Sequence, residues 1–151
     1  MTASDNIRTF IKEVEGFKLK AYKDTAGVWT IGTGATYYED NTPVKMGDLI
    51  TVEKAERLFN LHLKHAESWV SVLVKKPLNQ NQFDALVSFL FNFGAVKFKS
   101  YTLRTVINDD PNNFETVGKW WNKYVFSGGK KTNGLVTRRA REFNIYRYGK
   151  Y

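Results

Sequence analysis

The chain has no cysteine and only two histidines in 151 residues, and no stretch is apolar for long enough to cross a bilayer. Without cysteine, no disulfide can hold the fold and no thiol can serve as nucleophile. That fits maturation in a reducing cytoplasm. The histidines, His62 and His65, stand three apart on one predicted helix. This is not the i, i+4 spacing of a zinc helix, and no glutamate stands where such a motif needs it. A partly buried His62 and a solvated His65 are expected, with no metal. Met1 to Arg8 is polar and has no apolar h-region, so no signal peptide is read there. A substrate outside the cytoplasm would need some other agent to let the protein reach it. Low-complexity tracts and internal repeats are missing too, which excludes disorder and solenoid architectures.

What is present is an ordinary globular composition, 42% hydrophobic and 25% charged. It is enough for one compact domain, with or without two lobes. Lysine and arginine number 23 against 15 acidic residues, a net charge of +8. A basic surface favours anionic partners such as nucleic acid, acidic lipid or an anionic cell wall, and charge alone does not choose among them.

Periodicity divides the chain. Ile7, Phe10, Ile11 and Val14 follow i, i+3, i+4, i+7 and predict an amphipathic helix, capped by Ser4 or Asp5 and ended by Gly16. Glu15 then lies on its last turn. From Phe17 to about Leu49 the text turns to Gly, Thr and Tyr. Lys23 to Gly27 reads as a turn and Val28 to Ile31 as a strand leaving it, so a small antiparallel sheet is expected. Thr51 caps a helix of more than twenty residues, with Ala55, Leu58, Phe59, His62, Ala66, Trp69, Val70 and Leu73 on one stripe and Pro77 closing it. Asn79 and Gln82 resemble a capping box ahead of an all-round apolar run that Gly94 ends, which predicts a central buried helix. Shorter helices are expected at about Ser100–Asn108 and Asn113–Phe126, then a loop from Ser127-Gly128-Gly129. A last helix, about Leu135–Tyr146, should turn Val136, Ala140 and Phe143 inward. The fold class is α+β, mostly α: a β lobe at about 16–50, a linking helix at about 51–74, and a helical lobe from about 79 that includes the N-terminal helix.

Gly32-Thr33-Gly34 is a weak phosphate-loop candidate, because Tyr37 occupies the place of the third glycine. Its glycines fit tight backbone geometry near a cleft better. The carboxylates say more. Glycoside hydrolysis commonly needs one protonated carboxyl to donate to the leaving oxygen and one ionised carboxyl for the other face of the sugar. Glu15 ends a helix, whose negative pole disfavours a carboxylate, whereas Asp24 sits in a polar turn.

The spacing of Glu15, Asp24 and Thr30 resembles the catalytic signature of the phage T4-type lysozymes, glycoside hydrolase family 24. The text around it agrees: Glu15-Gly16, then Ala21-Tyr22-Lys23-Asp24, then Gly27 to Gly34. Thr51 to Asn60 looks like the start of that family's inter-lobe helix. Phe91 to Gly94 with Phe98 and Ser100 to Leu103 looks like its Asn-x-Gly stretch. Gly128 to Lys130 and Gly134 to Arg139 look like its C-terminal signature. The resemblance implies a lysozyme-like two-lobed fold and hydrolysis of the N-acetylmuramic acid–N-acetylglucosamine linkage of bacterial peptidoglycan, with inversion and without a cofactor. Glu15 is then the general acid, with Asp24 and Thr30 positioning water. Gly34, Asn92, Phe98 and Arg138 are implied at the substrate, Arg138 coming near Glu15 with Arg139 as the alternative. The protein is expected as a monomer, held in the host bacterial cytoplasm until it is released to the periplasm and cell wall, without stable membrane insertion or nucleic-acid partner. Two positions depart from the pattern. Ala35 stands where many relatives have His, and His62 where a T4-like chain has an acid, so an ion pair joining sheet and helix there is not expected.

Two rival readings remain at this level. One is a nucleic-acid module, with Arg138, Arg139, Arg141, Arg147 and Lys150 on phosphates and Tyr146 or Tyr148 stacking on bases. The other is membrane disruption by a basic C-terminal helix.

Overall fold

A computed structural model describes all residues, Met1–Tyr151. Helix α1, Asp5–Glu15, begins at Ser4, whose hydroxyl accepts from the Ile7 N–H, and ends at Gly16. Strands β1, Lys18–Lys23, and β2, Trp29–Gly32, form an antiparallel pair with Tyr22 opposite Thr30 and Lys23 opposite Trp29. Single bridges, Lys20 to Leu49 and Tyr37 to Pro43, extend this small sheet.

Thr51 caps α2, Val52–Leu73, and Asn79 with Gln82 forms the expected capping box at the start of α3, Gln80–Phe93. Every residue from Gln82 to Leu90 is buried, which explains why no polar face could be read in that run. Short helices follow: α4, Ala95–Ser100, α5, Thr102–Asp109, and α6, Phe114–Trp121. A two-residue hairpin, β3 Phe126–Ser127 with β4 Lys130–Lys131, stands where a loop was expected, and α7, Asn133–Tyr148, closes the chain. No helix is long and apolar enough to cross a membrane.

There are two hydrophobic clusters. The larger holds 22 buried residues, drawn from α1, the C-terminal part of α2, and α3 to α7, around Phe89, Trp121 and Leu86. The smaller holds Ala21, Ile31, Ala35, Val44 and Leu58, under the sheet and against α2. Helix α2 thus contributes to both cores, and a cleft lies between them.

The face of α7 corrects the sequence reading. Val136 and Ala140 are exposed, while Arg138, Arg139, Glu142, Ile145 and Tyr146 are buried. Charged residues are normally assigned to solvent, so a helix that buries ion pairs is phased wrongly by apolar spacing.

Candidate active site

Glu15 sits at the end of α1, where Gly16 turns the chain away, and its side chain is 16% exposed at the cleft. Each carboxyl oxygen has a neighbour that limits it. Oε1 accepts from Arg138 Nη1 at 2.5 Å. Oε2 lies against Gly34, where a Cβ would come within 2.7 Å of it. Gly34 has φ +75°, so the position requires glycine for its backbone and for the carboxyl it must admit.

Arg138 is itself fixed. Nε donates to Glu142 Oε1 at 3.1 Å, and Nη2 reaches the Ser88 carbonyl at 3.3 Å. Its guanidinium is therefore a brace between α1, α3 and α7. Glu142 is fully buried and also accepts from Ser88 Oγ at 2.7 Å and Trp121 Nε1 at 3.3 Å. Arg139 completes a largely buried network with Glu15, Glu142 and Arg138. One of its nitrogens, Nη2, donates to Asn92 Oδ1 at 2.9 Å and to Glu142 Oε1 at 3.0 Å. Its Nε approaches Glu142 Oε2 at 2.9 Å but its N–H misses the oxygen, and Nη1 has no partner. The Phe89 and Phe93 rings, each 4.7 Å from Cζ, partly compensate. Burial pulls the Arg139 guanidinium down to about 10 against the pull of Glu142. Burial also opposes the charge on Arg138, but Glu15 and Glu142 outweigh it and leave that guanidinium raised. Both arginines stay charged at neutral pH.

Asp24 opens the turn between β1 and β2. Its Oδ1 accepts from the N–H groups of Ala26 at 2.9 Å and Val28 at 2.8 Å, which fixes the carboxyl, while Oδ2 has no protein partner. Thr30 is buried, and its hydroxyl donates to the Val28 carbonyl at 3.0 Å. Opposite Thr30 on the sheet stands Tyr22. Burial raises its phenol, and the charges of Glu15 and Asp24 raise it further, so a neutral O–H lies within electrostatic reach of both carboxylates. Sequence reasoning missed Tyr22, whose only signal was its place two residues before Asp24 at the end of β1.

The cleft wall beyond Gly34 is a cavity of about 370 Å³ that includes Asn92, His62 and Trp69. Asn92 is thus at the cleft, with Oδ1 turned to Arg139. Phe98 is not: it is 0% exposed and packs edge-on to Phe89, 5.8 Å between ring centroids. It is a core residue, drawn inside by α4, the helix that sequence periodicity did not resolve. At the departing positions Ala35 is buried in the smaller core, and His62 packs against Tyr37 with centroids 4.4 Å apart and the rings tilted by 35°. An aromatic contact therefore joins sheet and helix there. Burial, and then His65, pull the His62 imidazole down to about 4.

The rival nucleic-acid surface loses its main residues. Arg138 and Arg139 are buried, and Tyr146 is buried with its hydroxyl donating to the Pro111 carbonyl at 2.7 Å.

Residues 12–142 match the family described as phage lysozyme. The chain is 39% identical over 149 residues to an endolysin of Salmonella phage P22, covering 97% of this chain and 98% of that one. The solved endolysin from Escherichia coli O157:H7 phage FAHEc1 superposes with a TM-score of 0.85 at 35% identity, over 100% of this chain and 96% of that one. A P22 lysozyme mutant gives a TM-score of 0.74 at 37% identity, over 97% of this chain and 98% of that one.

Proposed function

The chain belongs to the phage lysozyme family, and from that premise we propose that it is an endolysin that cuts the β-1,4 bond between N-acetylmuramic acid and N-acetylglucosamine in peptidoglycan. The observation that carries this reading is the Glu15 carboxyl, gripped by Arg138 on one oxygen and facing Gly34 with the other, with Asp24 close enough that both carboxylates act on the Tyr22 phenol. A donor must meet the leaving oxygen at a fixed angle, and a planar guanidinium fork holds a carboxyl in one rotamer.

In the reaction, Glu15 gives its proton to the bridging oxygen as the glycosidic bond breaks. The developing positive charge on the ring is stabilised by Asp24, whose turn keeps Oδ1 occupied and leaves Oδ2 for water. Asp24 and the Thr30 oxygen orient that water for attack from the far face, Asp24 takes the proton the water loses, and the product is inverted at the anomeric carbon. Tyr22 supplies a neutral hydroxyl beside both carboxylates. No step calls for a cofactor. The +8 charge favours approach to an anionic wall. The protein acts as a monomer after release from the host cytoplasm to the wall.

The test uses Glu15→Gln, folded by circular dichroism, on outer-membrane-stripped Gram-negative cells. Lysis should fall at least about 10²-fold, the scale of a lost general acid. NMR of the first sugar product should show the inverted anomer. Near-wild-type lysis by the folded variant removes Glu15 from the mechanism, and a retained anomer removes the water-attack role of Asp24.

A further inference from the structure

The reaction leaves one buried charge unused. Glu142 is closed off from solvent, yet both arginines that reach cleft residues are anchored on it. Its Oε1 accepts from Arg138 Nε at 3.1 Å, from Arg139 Nη2 at 3.0 Å and from Ser88 Oγ at 2.7 Å. Its Oε2 accepts from Trp121 Nε1 at 3.3 Å. Arg138 goes on to Glu15, and Arg139 to Asn92. A carboxylate this deep is costly to dehydrate, and well-packed apolar side chains in place of a buried ion pair often hold a fold as well or better. Stability alone therefore does not account for a charge at this place.

The general acid faces a conflict that Glu142 can resolve. A guanidinium beside a carboxyl favours loss of its proton, whereas a general acid must reach the bond with its proton in place. Two cations act on Glu15. Arg138 Nη1 holds its Oε1 directly, and Arg139 is close enough that the Glu15 charge supports its own. Glu142 is the carboxylate that both guanidiniums share. Its other partners are neutral, the Ser88 hydroxyl of α3 and the Trp121 indole of α6. Tyr101, between α4 and α5, is a phenol near Arg139, kept neutral by burial first and then by Tyr124. On the cleft side Tyr22 feels both Glu15 and Asp24. Glu13 and Arg141 pair with each other at 2.9 Å on the exposed edge of α1 and α7. With Glu142 ionised, the two guanidiniums act on Glu15 as one net positive charge. Without it they act as two.

We infer that Glu142 is a positioning residue for the reaction: its buried carboxylate takes up guanidinium charge, so that Arg138 can fix the rotamer of Glu15 while Glu15 still carries a proton to the glycosidic oxygen. The inference rests on Glu15 as the general acid and goes beyond that reading, because it assigns part of the acid's readiness to a residue that never meets substrate. Charge and reach are separable at this position. Glutamine keeps the shape and an acceptor oxygen but loses the charge, and aspartate keeps the charge but shortens the reach.

The experiment measures kcat/KM on purified peptidoglycan against pH at fixed ionic strength, at a temperature where thermal melts show each variant folded. The alkaline limb of that profile reports the essential acid of the free enzyme. Glu142→Gln should move the limb to lower pH by about one unit, a loss of about tenfold on the limb with a smaller change on the acid side. Glu142→Asp should keep the wild-type limb. Arg139→Met removes one guanidinium and should move the limb to higher pH, and the double variant, which removes the pair, should bring it back close to wild type. The Arg139→Met and double variants carry the test if Glu142→Gln alone does not stay folded. A limb that stays at the wild-type pH in the folded single variants overturns the inference. So does a uniform loss at every pH, which is what a purely structural role gives. Failure of the underlying reading is distinguishable, because Glu15→Gln would then keep both its activity and its alkaline limb.

Discussion

Gly34→Ala separates a stability effect from a catalytic one. Gly34 has φ +75°, and an alanine there incurs the left-handed backbone penalty of about 1–2 kcal/mol. For a chain of this size that lowers Tm by roughly 2–8 °C. The new methyl would also stand 2.7 Å from Glu15 Oε2, against an ordinary contact of 3.4–4 Å, so the carboxyl must retreat by at least 0.7 Å, the difference 3.4 − 2.7. It cannot retreat freely, because Arg138 holds the other oxygen and is itself held by Glu142 and Ser88. A misplacement on the order of 1 Å costs about 10²-fold in rate. Gly47→Ala is the control: its φ is +87° and nothing lies within 4 Å of the added carbon. Both variants should lose similar Tm by calorimetry. Only Gly34→Ala should lose lysis, by about 10²-fold in turbidity assays run well below either Tm. If Gly34→Ala lyses walls like Gly47→Ala, the glycine does not serve the carboxyl and the reasoning is wrong.

Glu142→Gln should destabilise the fold by about 3–5 kcal/mol in denaturant titration, because it leaves two buried guanidiniums with one carboxylate between them; a loss below about 1 kcal/mol would show that the network is not needed for stability. His62 has a folded value of about 4, below its ordinary 6.5, so the unfolded chain takes up the proton first as pH falls. Its share of stability is fully present above about 6.5 and is lost as pH drops toward 4, at most about 3 kcal/mol and less for the part of the ring that water reaches. His62→Leu should flatten that part of the stability–pH curve, and an unchanged slope would refute the assignment. Arg138→Ala and Glu15→Gln should couple by about 0.5–3 kcal/mol in a double-mutant cycle on stability, whereas simple additivity would deny the contact.

The parts of the fold legible in the sequence were those governed by local rules. Ser4 caps α1 and Asn79 with Gln82 boxes α3, because capping needs only residues a turn apart. The Asp24 turn was legible for the same reason. The position of Arg138 beside Glu15 came from the family resemblance, since 123 residues separate them and no local rule joins them. What could not be read was set by tertiary contacts. The inward face of α7 is ionic and invisible to apolar spacing. Phe98 and the extra helix α4 belong to a core organised around Phe89, and a short apolar run does not reveal which side it buries. The β3–β4 hairpin is two residues a side, too short for a periodic signal. At the site, Asp24 and Glu15 were visible as chemistry, whereas the aromatic wall of Tyr37, His62 and Trp69 emerged only when the two lobes were set face to face.

The most direct test of the central claim is mass spectrometry of peptidoglycan fragments released in ¹⁸O-labelled water by the wild-type protein and by Glu15→Gln. Proton donation by Glu15 with attack by water predicts reducing-end N-acetylmuramic acid carrying one ¹⁸O at its anomeric hydroxyl, and almost no fragments from the variant. Anhydro-muramic ends without label, or a normal yield from the folded variant, would contradict it.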